Sequence, residues 1–166
     1  MERKKESPID LAQTRKKIQN YCARRECCSA DVLRRLNALG LEPAQAQQLL
    51  AELQQERFID DARYALAFVR DHIRFNHWGD KRIEQALRQQ GISPEDIREA
   101  LLQASKEGLC VDLVRLLAQR SASWRNEPPR QLRLKLFRFA ISRGFAYNEV
   151  SEALETLAHL QSESDL

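Results

Sequence analysis

Apolar residues recur three and four positions apart through most of this chain, and no window alternates apolar and polar positions with the β-branched residues that mark a strand. Ahead of Gly40 the pattern holds Val32 and Leu36; ahead of Gly91 it holds Ile83 and Leu87; ahead of Gly144 it holds Leu136 and Ala140. An apolar residue follows each glycine (Leu41, Ile92, Phe145), and a leucine lies ten positions after it (Leu50, Leu101, Leu154). The glycines are 51 and 53 residues apart. One pattern of two helices around a turn is therefore written three times.

The turn has a plain physical content. Glycine can take the left-handed conformation that ends a helix, and a proline at the first position of the next helix gives up no hydrogen bond. In GISPEDIREAL, Ser93 caps and Asp96 lies in the first turn, while Ser7, Pro8 and Asp10 repeat that grammar at the first helix of the chain. Each copy leaves room for one more helix ahead of the pair, at about 7–25, 60–72 and 111–123. The expected fold is all-α: three tandem three-helix repeats at 8–58, 59–108 and 109–160, with a disordered N-terminus at 1–7 and a tail at 161–166. A helical period near 50 residues marks an array whose neighbours pack end to end, so an elongated, curved molecule is expected.

Composition agrees with this reading. The 166 residues include only 5 Gly and 5 Pro, and the stretches between them are rich in Leu, Ala, Gln, Glu and Arg, which keep rotamer freedom in a helix. No apolar run approaches the roughly 20 residues that span a bilayer, and MERKKESP lacks the apolar stretch of a secretion signal, so a cytoplasmic protein without a membrane segment is expected. Cys22, Cys27, Cys28 and Cys110 do not have the spacing of paired metal clips, and adjacent Cys27 and Cys28 chelate poorly, so no metal and no cofactor is expected.

Net charge is only +3, but its distribution is uneven. The first two helices of each repeat are positive, with +5 over 15–35, +3 over 63–88 and +7 over 113–148. The third helices oppose them, with −4 over 36–62, −3 over 89–112 and −5 over 149–166. At 100° per residue the basic residues form stripes. Arg63, Ala67, Arg70 and Arg74 share one face of the fourth helix, opposite Ala62, Leu66, Val69 and Ile73. Lys81, Gln85 and Arg88, beside Arg82, make a shorter stripe in the fifth, and Gln131, Lys135, Arg138 and Ser142, beside Arg133, make another in the eighth. In that eighth helix Leu132, Leu136, Phe139 and Ala140 lie on one side and Leu134, Phe137 and Ile141 on another, which predicts a helix buried between neighbours.

The candidate binding residues are accordingly Arg63, Arg70, Arg74, Lys81, Arg82, Arg88, Arg133, Lys135 and Arg138, on faces suited to a polyanion or an acidic protein groove. Sequence-specific reading of duplex DNA by a helix-turn-helix is not expected, because the helix after each glycine turn is the acidic one. No catalytic residue is identified: there is no phosphate-cradling glycine loop, no HExxH and no GxSxG. The adjacent Asp60 and Asp61 could hold a divalent ion as in nucleases, but capping of the helix that begins there is the expected role. Trp78 and Trp124, near helix ends, are expected to pack between helices rather than stack on bases.

Three segments resemble the successive hallmarks of the bacterial RecX regulatory proteins: ERFIDDARYALAFVRD, HWGDKRIEQALRQQGIS and RLKLFRFAISRGFAYNEV. YCARRECCSADVLRRLNALGL resembles that family's N-terminal segment, so the resemblance covers about residues 10–157. It implies a non-enzymatic modulator of the RecA recombinase, lodged in the helical groove of the RecA filament on single-stranded DNA. There, family members usually suppress ATP hydrolysis, strand exchange and co-protease action. The partners implied are the RecA filament and single-stranded DNA, reached through the filament or weakly directly, by a monomer. The family has no catalytic residues to transfer, and the resemblance does not fix which residues grip the filament. The alternative is a helical repeat protein that binds nucleic acid without regard to sequence, using the same basic faces.

Overall fold

A computed structural model of the chain describes residues 10–164, which form nine α-helices and no strand. They are α1 (Leu11–Cys22), α2 (Ser29–Ala38), α3 (Pro43–Gln55), α4 (Asp61–Asn76), α5 (Asp80–Gln89), α6 (Pro94–Lys106), α7 (Leu113–Ser123), α8 (Pro129–Ser142) and α9 (Tyr147–Ser164). Ser7, Pro8 and the expected disordered N-terminus lie outside the described residues. Asp10 caps α1 by accepting from the Ala12 and Gln13 amides at 3.0 and 3.1 Å. The caps that start later helices are equally local: Glu42 with Gln45 at α3, Ser93 with the Asp96 amide at α6, and Asp112 with the Arg115 amide at α7. The fourth helix runs one turn past its expected end at 72, to Asn76, and stops at His77 in the left-handed conformation.

Gly40, Gly91 and Gly144 all take positive φ, of 87°, 77° and 91°, and each ends the second helix of its copy. The positions that recur around them are core positions. Val32, Leu36, Ile83, Leu87, Leu136 and Ala140 are buried, as are Leu41, Ile92 and Phe145. Three separate cores result, one for each set of three helices. The first gathers Ile18, Val32, Leu36, Leu49 and Leu53; the second Val69, Ile73, Ile83, Leu87 and Ile97; the third Leu117, Leu136, Ala140, Val150 and Leu154. The tandem three-helix array expected from the sequence is the fold.

Two joints tie the units together. At the first, the segment entering α2 meets the α5–α6 turn. Cys28 is buried in the second core rather than the first, Ala30 packs against that core, and the Arg34 guanidinium donates to the Gln90 side chain at 3.2 Å. At the second, the segment entering α5 meets the α8–α9 turn, backbone against backbone. The Gly79 amide donates to Arg143 O at 2.8 Å and the Lys81 amide to Gly144 O at 3.2 Å. Cys28 and Gly79 each stand twelve positions before the turn glycine of their own copy, so the two joints are the same joint in register.

Two expectations about helix faces need correction. In α4 the buried line is Ala65, Val69 and Ile73, with Ala62 exposed and Leu66 half-buried, so the apolar face is turned by part of a residue spacing from the one expected. In α8 the side of Leu132, Leu136, Phe139 and Ala140 packs on α7 and α9, but Leu134 and Ile141 are 48% and 41% exposed. The third unit has helices on only one side of α8, so the expected burial between neighbours does not occur.

Candidate partner-binding faces

The nine candidate cations do not form one class. Arg63 lies on the first turn of α4, where Asp60 caps the helix by accepting from its amide at 3.0 Å. Its guanidinium reaches back to Glu26 at 2.8 Å and donates to Arg57 O, tying the second unit to the first. Two turns on, Arg70 pairs with Glu107 through contacts of 2.5 and 2.9 Å. That guanidinium, with the Gln103 amide, holds the Glu107 carboxyl well below the usual range, at about 2. Arg88 is neutralised within its helix by Glu84 at 2.5 Å, and Lys135 pairs with Glu127. Arg82 stacks on the Trp78 ring at 4.2 Å and donates to Ser142 O at 2.9 Å, so it braces the second joint.

Arg74, Lys81, Arg133 and Arg138 differ from those five: each is exposed and has no ion pair among the described residues. They sit at the end of α4, the start of α5 and along α8, so the unpaired members of the nine are spread over the second and third units. Arg74 shares a groove of about 360 Å³ with His77 and Arg115, where α4 ends against α7. Lys81 faces Ile141 and Tyr147 across the second joint. An exposed, unpaired guanidinium keeps its donors for an external acceptor, whereas one already paired must first lose its partner.

Several working residues were missed by the sequence reading. Asp61 does not cap its own helix. Its Oδ1 accepts from the Ser29 amide at 2.7 Å, so a residue of the second unit caps α2 in the first, where Cys28 offers no side-chain cap. Arg143 donates to Asn76 O at 2.5 Å and lies 5.1 Å over the Phe139 ring, a second brace at the same joint as Arg82. Tyr64, Phe68 and His72 stack along α4 and end on Trp78, 4.3 Å from His72; their spacing of four was a readable signal. Trp78 and Trp124 pack against core residues, as expected, with Trp124 edge-on to Phe139 at 6.3 Å.

The cysteines are dispersed. Cys27 is buried in the first core and Cys28 in the second, while Cys110 is exposed. Burial, with Cys22 beside it, pushes the Cys27 thiol up to about 12, which keeps it protonated and a poor nucleophile. Among the described residues no three His, Cys, Asp or Glu side chains converge as metal ligands, and no helix is long and apolar enough to cross a membrane.

Residues 60–101 match the family model described as RecX, second three-helix domain. A regulatory protein RecX of Chromohalobacter salexigens is 35% identical over 135 residues, covering 80% of this chain and 84% of the relative. Another of that name, from Limosilactobacillus reuteri, is 27% identical over 159 residues, 93% of this chain; the chain spans only 60% of that relative's length. Among solved structures, a regulatory protein RecX superposes with a TM-score of 0.76 at 26% identity, over 88% of this chain and 71% of that one. RecX from Lactobacillus salivarius gives 0.77 at 20% identity, over 89% and 96%, a likeness of fold. On these grounds the chain belongs to the RecX family.

Proposed function

We propose that the chain is a non-enzymatic regulator that binds in the groove of the RecA filament on single-stranded DNA and restrains RecA ATP hydrolysis, strand exchange and co-protease action. The observation that carries this reading is the set of exposed, unpaired cations spread over two successive units of a RecX-family chain: Arg74, Lys81, Arg133 and Arg138. A groove lined by acidic side chains and phosphates offers acceptors at several levels. An array that touches more than one of them converts the second contact into an intramolecular one with a high effective concentration.

The test is RecA ATP hydrolysis on single-stranded DNA, titrated with wild-type protein and with charge reversals to Glu at Arg74 and Lys81, at Arg133 and Arg138, and at all four. Wild type should lower the hydrolysis rate. Each pair should raise the concentration needed several-fold and the quadruple variant by more than the pairs separately, with circular dichroism unchanged. A quadruple variant as effective as wild type would place the grip elsewhere. The alternative, a module for bare nucleic acid, predicts tighter binding to uncoated than to RecA-coated DNA at equal salt, with a steep salt dependence.

A further inference from the structure

We infer that the outward face of α8 is a docking surface for a segment of a partner protein that carries both apolar and acidic side chains; the inference rests on the proposed regulatory role. At 100° per residue Leu134, Phe137 and Ile141 share this face, with Arg130 among them and Arg133 and Arg138 on its two borders. Phe137 meets Tyr147 edge-on at 5.2 Å, and Tyr147 is 69% exposed, so the apolar strip continues past the turn onto α9. Lys81 stands across the groove from Ile141 and Tyr147.

Internal comparison sets this face apart. Counted back ten, seven and three positions from the turn glycine, the second copy has Lys81, Glu84 and Arg88, and the first has Ala30, Leu33 and Asn37. Ala30 and Leu33 pack on the cores. Only the third copy places three large apolar residues there and leaves two of them exposed. Phe137 also packs against the third core, but the core does not use Leu134 and Ile141, because the opposite side of α8 already supplies it.

The rim selects the occupant. Arg130, Arg133, Arg138 and Lys81 are exposed and pair with no carboxylate among the described residues, and the nearest acid at the turn, Glu149, is taken by the Ala146 amide at 2.6 Å. An apolar strip bordered by unpaired cations matches an amphipathic segment whose polar edge is acidic. Aliphatic Leu134 and Ile141 favour protein side chains over bases, which stack on aromatic or guanidinium planes.

Leu134→Gln with Ile141→Gln removes the two exposed aliphatic side chains of the strip while leaving helix propensity almost unchanged and net charge wholly so, and phosphate contacts are therefore untouched. Binding is measured by fluorescence anisotropy on one labelled oligonucleotide, bare and coated with RecA held by a slowly hydrolysed ATP analogue. Filament binding at least ten-fold weaker, with bare-DNA binding within two-fold of wild type, is the expected result. Equal loss on both substrates makes the face a nucleic-acid surface, and unchanged filament binding makes it idle; either overturns the assignment. A concentration-dependent dimer of wild type that the variant abolishes, seen by light scattering, assigns the face to a second copy instead. Failure of wild type itself to bind the filament defeats the regulatory reading and this inference with it.

Discussion

One added methyl group should cost very different amounts at three glycines. At Gly91 a Cβ would meet nothing closer than Ala30 Cβ at 3.7 Å, so Gly91→Ala bears only the left-handed backbone strain, about 1 to 2 kcal/mol. At Gly79, whose φ of −82° suits any residue, the Cβ would lie 2.6 Å from the Gly144 carbonyl carbon, a backbone clash costing on the order of 3 kcal/mol. Gly144→Ala combines both, with φ at 91° and the Arg82 backbone nitrogen 2.5 Å away, and should be the most destabilising. Urea unfolding of the three variants should rank them Gly144, Gly79, Gly91; equal midpoints would contradict the close approach. The left-handed turns were legible in the sequence because glycine, a following apolar residue and a distant leucine repeat in register. The crossing of Gly79 over Gly144 was not, since nothing local couples residues 65 apart in the chain. Ion pairing escaped for the same reason: Arg63 and Arg70 find Glu26 and Glu107, each 37 residues away, one in each direction.

Helical periodicity locates an apolar face but does not say whether anything covers it. That is why α8, with two apolar sides, reads in the sequence as a helix between neighbours while only one side is covered. The charge stripes carry the same ambiguity, for four of the nine cations stand free and five are occupied at home. Capping is more readable, because its partners lie within three residues, as at Asp60, Ser93 and Asp112. Asp61 is the exception that connects two helices of different units. Asp61→Ala should cost about 0.5 to 2 kcal/mol, the usual range for a lost N-cap. It should also speed amide exchange at the start of α2, and first at Ser29, whose amide Asp61 accepts. Faster exchange confined to α4 would return Asp61 to its own helix.

At the scale of the whole molecule, the three cores and two joints describe a string of units in which the hydrogen bonds and ion pairs between described residues cross only from one unit to the next. A compact globule of 166 residues has a radius of gyration of about 15 Å. Small-angle scattering should give a value several ångströms larger; one near 15 Å would mean the units fold back on each other. The series was legible from the 51- and 53-residue spacing, while the joints were not, because their residues are small or backbone atoms with no periodic signature. The placement of Cys28 has a practical corollary. Cutting the chain where its sequence repeat changes would separate the second core from a side chain that fills it, leaving a hole in one fragment and a bare thiol on the other. Fragments for expression should therefore overlap through residues 27–30, each unit borrowing the doorstep of the one before it.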